Sequence, residues 1–388
     1  MANIDVDVAV IGAGIGGLTA ALALQRAGRS VAVFEQADRF GEVGAGIMLT
    51  PNASRVLIDL GLGERLADHG TRPRATVYRR YDNGEIMTEA RVGEDSEARF
   101  GAPQYQIHRA DLHDLLRRAV DARDPDCMRT GHALAEIAQR DGSAEVAFAH
   151  GGSVVARAVI GCDGIHSRTR AILIGAERPQ FTGQVAYRGL VPASVLPDHM
   201  LAHASAVWIG PDRHVVQYAV RGGRLINFVA IVATERWEEE GWNIRAHVGE
   251  LVDRFAGWHH DLISLLMGTP DGACFKWGLF DREPVERWSY GVVTLLGDAA
   301  HPMLPLMAQG AATAIEDGCV LARCLALPVP VAEALARYDR ARINRTSSIV
   351  RRSRAAKDLY QRVTGDKAQE RRAATEDVYA YDARLVPV

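Results

Sequence analysis

Four groups of residues in this 388-residue chain have types and spacings suited to chemistry. The first is Gly12-x-Gly14-x-x-Gly17, which follows the alternating Val6, Val8 and Val10 and precedes Leu18, Ala21, Leu22 and Leu24 at helical spacing. Gly12 allows a tight turn, Gly14 lets backbone approach a pyrophosphate, and Gly17 permits close helix–strand contact. The helix N-terminus offers unpaired N–H groups and a positive dipole end to phosphate. Glu35, after a second apolar strand from Val31 to Phe34, stands where a carboxylate accepts ribose hydroxyls. The unit points to a dinucleotide and by itself leaves FAD and a nicotinamide dinucleotide both open. The second group is Cys162-Asp163-Gly164-Ile165-His166-Ser167-Arg168-Thr169-Arg170, and the third is Gly297-Asp298-Ala299-Ala300-His301-Pro302 continuing through Gln309-Gly310-Ala311. A strand ending in Gly-Asp before a helix places a carboxylate against a polyol and backbone N–H groups against ligand oxygens. The fourth is Asp212 to Tyr218, in which His214, Val216 and Tyr218 alternate onto one face of a strand.

The elements that must carry these groups follow from patterning. The chain is long enough for two intimately packed domains. An α/β fold is expected: a Rossmann-like nucleotide domain, an inserted, mostly antiparallel substrate sheet, and a C-terminal helical segment. The boundaries read as 1–72, 100–180 and 281–325 for the first, 73–99 and 181–280 for the second, and 326–388 for the third. Alternation around Ala144 to Phe148 and Val154 to Ile160 predicts a hairpin returning to the nucleotide domain. VAYRGLV, AVWIG, HVVQYAV and LINFVAIVA predict the inserted sheet. Helical spacing is expected over Arg109 to Ala119 with Asp111 as its N-cap, from Ile244 to Met267, and after Gly310.

Taken together in this order and over nearly the full length, the three glycine- and aspartate-bearing motifs resemble the single-component flavoprotein aromatic hydroxylases, the para-hydroxybenzoate hydroxylase-like class. That resemblance implies FAD as the cofactor, with NADH or NADPH and O2 as co-substrates reacting through a C4a-hydroperoxyflavin. It implies that Asp298 binds the ribityl chain and that Arg109 holds the phosphate–ribityl region. Asp163 would belong to a motif serving FAD and the reduced nicotinamide, and Gly310 and Ala311 would face the N1/O2 edge of the flavin. Gly44-Ala45-Gly46 resembles the segment lining the flavin ring, where glycine lets backbone pass close to a planar ligand. Glu35 then becomes an adenosine-ribose ligand.

The stretch around His214 looks most like the salicylate hydroxylase, 3-hydroxybenzoate 6-hydroxylase and 6-hydroxynicotinate 3-monooxygenase group. His214 and Tyr218 are expected to orient and deprotonate a phenol or hydroxypyridine ring, the imidazole as a base near neutral pKa. Met48 stands where the hydroxynicotinate enzymes carry a histidine, which suggests a more apolar wall. Val216 and Pro305 are further pocket candidates. Tyr105 reads equally as pocket or core, and Gln309 as a neighbour of substrate or flavin. Arg188 and Arg221 read as partners of a substrate carboxylate or as ion pairs. A flavoprotein reductase that inserts no oxygen is the alternative activity. A flavin halogenase is not supported, since Lys276-Trp277-Gly278-Leu279-Phe280 does not fit its WxWxIP motif.

Composition bounds the rest. With 48% hydrophobic and 24% charged residues and a net charge of −3, the chain reads as soluble and gives no electrostatic case for nucleic acid or an anionic membrane. Residues 337–372 hold twelve Lys/Arg against four Asp/Glu; pairing with acids elsewhere is favoured over a nucleic-acid arm. Five scattered cysteines suggest reduced thiols, neither a disulfide frame nor a metal site, and a cytoplasmic monomer or homodimer.

Overall fold

The structure, a computed structural model, describes residues 5–41, 45–235, 237, 244–361 and 367–388. Its first sheet runs Met128–Arg129, Val31–Phe34, Val6–Ile11, Ser153–Gly161, Ser143–Phe148, Leu134–Arg140, with Val293–Leu295 beside Ser153–Gly161. The long strand Ser153–Gly161 divides its pairing. Ser153 to Ala156 lie antiparallel to the Ser143–Phe148 hairpin partner, whereas Val159 to Gly161 lie parallel to Val293–Leu295. Val31–Phe34, Val6–Ile11, Ser153–Gly161 and Val293–Leu295 are thus parallel neighbours. Their carboxyl ends emerge side by side, as a ligand crevice in such a sheet requires. Glu35, Gly12, Cys162 and Gly297 are the residues just beyond those ends.

The second sheet has eight strands in the order Ile244–Arg245, Phe275–Asp281, Gln180–Pro192, Leu225–Ala233, Arg213–Val220, Ala206–Gly210, Ala75–Arg80, Ile86–Arg91. It is antiparallel except between Ala206–Gly210 and Ala75–Arg80. Period-2 alternation sorts its side chains. Val185, Tyr187, Val215, Phe228 and Ala230 pack outward under Leu251, Phe255, Leu262 and Leu265 of two covering helices. Ala186, Val216, Val229, Ile231 and Trp277 face the other way. Those covering helices, Val248–Arg254 and His260–Met267, replace the single helical stretch expected from Ile244 to Met267. Ile244–Arg245 pairs as an edge strand, and Gly257, at φ 82°, breaks the run.

Gly46–Leu49 pairs antiparallel with Tyr105–His108 as a separate two-stranded sheet. Arg221 donates to both oxygens of Asp111 at 2.7 and 2.9 Å. Asp111 is therefore an interdomain partner in the first turn of helix Arg109–Asp121 and not its N-cap, a position held by His108.

The helix Gly310–Leu325 lies against Ile15–Arg26 and is backed by Val331–Gln361. Arg342, fully buried in the latter, meets Glu316 and Asp317 at 2.7 Å each. Arg345 pairs with Glu316, Arg352 with Asp377 and Arg354 with Asp281. These four arginines of the basic 337–372 stretch are thus paired with acids of this chain. Arg342→Ala leaves two buried carboxylates without their shared cation. It should lower stability by about 3–5 kcal/mol, read as a drop in Tm. An unchanged Tm would show that this pair is not what holds the helix.

Candidate active site

One cavity of about 370 Å³ lies between the carboxyl edge of the first sheet and the inner face of the second. Gly14, Gly46, Met48, Arg109, His214, Val216, Tyr218, Asp298, Pro305, Gly310 and Ala311 all line it. Ala45 lines it too, while Gly44 lies outside the described residues.

At the nucleotide end, Gly12 has φ 102°, and a Cβ there would stand 2.5 Å from the Cys162 carbonyl oxygen. A Cβ on Gly17 would meet the Gly12 oxygen at 2.0 Å. Gly14 by contrast has open space where its Cβ would be, so the Ile15–Arg26 N-terminus presents bare backbone. Glu35 accepts from the Ala13 and Ala37 N–H groups at 2.9 and 3.0 Å and braces that loop.

The Asp298 side chain is exposed to the cavity that it lines, within walls close enough to desolvate it. Burial raises its carboxyl above the usual range, and His301 and Arg109 only partly offset this. Gly310 is close by: a Cβ there would lie 4.0 Å from Asp298 Oδ1. A carboxylate and a helix N-terminus therefore meet at one edge, the donor set that a polyol chain and an electron-rich ring edge need. Together with the open backbone at Gly14, these groups fit FAD.

The opposite wall is the inner sheet face. His214 pairs across to Ile231, Val216 to Val229, and Tyr218 to Asn227. Burial, then the charge of Arg371, lowers the His214 pKa to about 3. Burial also raises the Tyr218 phenol. Both are neutral side chains at pH 7, which corrects the expectation of a near-neutral base at His214. Four residues of strand put their Cα atoms about 13 Å apart, so they bracket a ring and do not converge on one hydroxyl. Arg188 completes the wall, buried with its guanidinium 5.0 Å from the Trp277 ring.

Four expected contacts lie elsewhere. Asp163 does not line the cavity: its oxygens accept from Ser167 Oγ at 2.5 Å and from Thr169 N and Oγ1 at 2.8 and 3.1 Å. It shapes the loop under Gly12. Tyr105 is buried, and its hydroxyl accepts from Arg72 at 3.0 Å. Gln309 is fully buried, donating to Thr50 and accepting from Asn52 at 3.0 Å each; it supports the cavity floor from below. Arg221 is taken by Asp111, as above.

Two contributors escaped sequence reading. Asn227 accepts the Gly46 N–H at 2.6 Å, and a Cβ on Gly46 would collide with Asn227 and Tyr218. An Asn inside the apolar run LINFVAIVA was its available signal. Arg371, from helix Lys367–Ala380, lines the cavity beside His214, and nothing in its basic surroundings marks it out.

Residues 5–353 match the FAD binding domain family, and the chain belongs to it. It is 41% identical over 348 residues to a 3-amino-4-hydroxybenzoate 2-monooxygenase of Streptomyces platensis, covering 89% of this chain and 86% of the relative. It is 37% identical over 320 residues to a 6-hydroxynicotinate 3-monooxygenase of Pseudomonas fluorescens, covering 82% of each. A solved salicylate hydroxylase substrate complex superposes with a TM-score of 0.82 at 28% identity, covering 97% of this chain and 96% of that one. The flavoprotein aromatic-hydroxylase class that the three motifs implied is borne out. Among the described residues no helix is long and apolar enough to cross a membrane.

A buried histidine with a depressed pKa binds its proton more readily in the unfolded chain. Stability is therefore full above about pH 6.5 and falls as pH drops toward 3. Chemical denaturation from pH 7 to pH 4 should show His214→Asn losing less stability than wild type over that window. Parallel curves would mean that His214 is not held neutral.

Proposed function

We propose that this chain is an FAD-dependent monooxygenase hydroxylating the ring of a small hydroxylated aromatic or N-heteroaromatic acid, with NAD(P)H as electron donor and O2 as oxygen source. The observation that carries this is the charge of the cavity between the two sheets. Arg109, Arg188 and Arg371 line it, against Asp298 as the acidic residue among its described lining. Asp298 stands at the cofactor edge, so the substrate end favours an anion. Relatives named for an aminohydroxybenzoate and a hydroxynicotinate support the same class.

The residues divide the work. Gly12 to Gly17 would cradle the pyrophosphate and Glu35 the adenosine ribose, while Arg109 and Asp298 would hold the phosphate–ribityl stretch. The Gly310 and Ala311 N–H groups would face the flavin edge where negative charge develops. FAD, when bound, supplies the hydride acceptance and oxygen transfer. Arg188 or Arg371 would pair with the substrate carboxylate. His214, as a neutral imidazole, accepts the hydrogen bond of a ring hydroxyl, and an anionic substrate beside Arg371 raises its basicity. Partial deprotonation enriches the ring carbon in electron density. Tyr218 bounds the far side of the ring, and Met48, Val216 and Pro305 exclude water.

Hydroxybenzoates, salicylate and hydroxypyridine carboxylates should be screened for stimulated NAD(P)H oxidation with a product about 16 mass units heavier, or about 28 lighter where oxygen insertion is accompanied by loss of CO2. Turnover without oxygen insertion would instead establish the reductase alternative. His214→Asn should lower kcat/KM about 100-fold, the scale of general acid–base catalysis. Tyr218→Phe should lower it about tenfold, the scale of one hydrogen bond to a charged group. Unchanged rate and coupling in both would remove this strand face as the substrate wall.

A further inference from the structure

A second cavity, of about 440 Å³, lies behind the first. It is enclosed by the outer strands Ala75–Arg80 and Ile86–Arg91, the helix Gly93–Phe100, and the C-terminal helix Lys367–Ala380. Its rim is solvent-exposed at Glu89, Arg91, Arg99, Gln369 and Glu376, whereas Tyr78, Val207 and Tyr218 form a buried floor. Met48, Val216, Tyr218 and Arg371 line both cavities. The partition between outside chamber and substrate wall is therefore one side chain thick. Two of its four members, Met48 and Arg371, are long and unbranched, able to swing without moving backbone. The chamber is also cationic at its inner end: Arg371 faces it there, and Arg99 and Glu376 neutralise each other at the rim.

We propose that this chamber is the access vestibule for the aromatic acid and that Arg371 is the positioning residue that draws its carboxylate through the Met48–Arg371 partition. The proposal rests on the reading of the substrate as an aromatic anion. FAD lying along Gly14, Asp298 and Gly310 would take the opposite side of the cavity, which leaves the partition as the way to the sheet wall. Arg371 then has two consequences from one position. Its charge attracts the anion from the vestibule, and that charge adds to the burial that keeps His214 neutral.

The test is stopped-flow binding of 3-amino-4-hydroxybenzoate to the holoenzyme, read as the flavin absorbance change without turnover. Ala90→Trp and Thr88→Trp fill the vestibule from a strand that does not line the substrate cavity. In each, association and dissociation should slow together, about tenfold, leaving Kd within about twofold, because an obstructed route changes rates and not affinity. Arg371→Gln should slow association about tenfold and flatten its dependence on ionic strength. Wild-type rates in both tryptophan variants would overturn the route, as would a raised Kd with association unchanged. A wild-type holoenzyme whose flavin spectrum responds to none of the hydroxybenzoates or hydroxypyridine carboxylates would instead overturn the functional reading, and the vestibule with it.

Discussion

The cofactor edge of this molecule hangs on two carboxylates buried where no water can reach them. Burial pushes Glu316 and Asp317 toward protonation, but Arg342 with Arg345 for the first, and His301 with Arg342 for the second, hold both below their ordinary range. Each carboxylate then ties down a piece of the cavity floor. Asp317 accepts from the Gly297 N–H at 3.2 Å and from His301 at 2.6 Å, fixing the turn that carries Asp298. Glu316 accepts from Asn52 at 2.6 Å, and Asn52 reaches Gln309, the residue preceding Gly310. Such a network adds little net stability over an apolar core, yet losing one member is costly. Its value lies in geometry, since the helix N-terminus and the carboxylate at Asp298 keep one fixed relation.

The substrate end uses the opposite strategy. There the titratable groups are kept neutral: His214 by burial and Arg371, Tyr218 by burial. Fixed cations supply the field instead. A desolvated wall strengthens each electrostatic contact with an arriving anion, while neutral His214 and Tyr218 add no competing charge. Acid–base capacity is thus latent in the empty wall and is called up by the ligand's own charge. Trp277 and Phe275 form an aromatic shelf against the Arg188 guanidinium.

How much of this was legible in the sequence depended on whether a residue acts locally or through its packing. Gly12, Gly17 and the alternation of His214, Val216 and Tyr218 are local geometry, and spacing suffices to place them. Tyr105 and Gln309 sit next to motif residues in sequence, but adjacency does not tell which side of a strand or helix start faces the ligand. Tyr105 alternates away toward Arg72, and Gln309 turns down toward Thr50 and Asn52. Arg371 is the reverse case. Its helix meets the sheet only through the tertiary fold, and a stretch rich in basic residues conceals the one that lines the cavity. The two helices over Ile244 to Met267 were merged because apolar periodicity survives a break that one glycine at positive φ imposes.

Asp163 shows how a motif residue can serve the site without lining the cavity. Its carboxylate is consumed by Ser167 and Thr169, which fixes the Cys162–Gly164 turn. That turn presses the Cys162 carbonyl against Gly12 so closely that no Cβ fits there. Arg170, at the start of the following helix, donates to the carbonyls of Ala299 and Ala300 at 3.2 Å each. The second motif is therefore a mechanical link: one end positions the phosphate loop, the other the turn beside Asp298. Because the carrying strands are neighbours in one parallel sheet, three segments far apart in the chain are locked edge to edge. A cradle for a long cofactor needs both of its ends set at a fixed separation, and a segment that grips both achieves this while Cys162 and Gly164 also line the cavity.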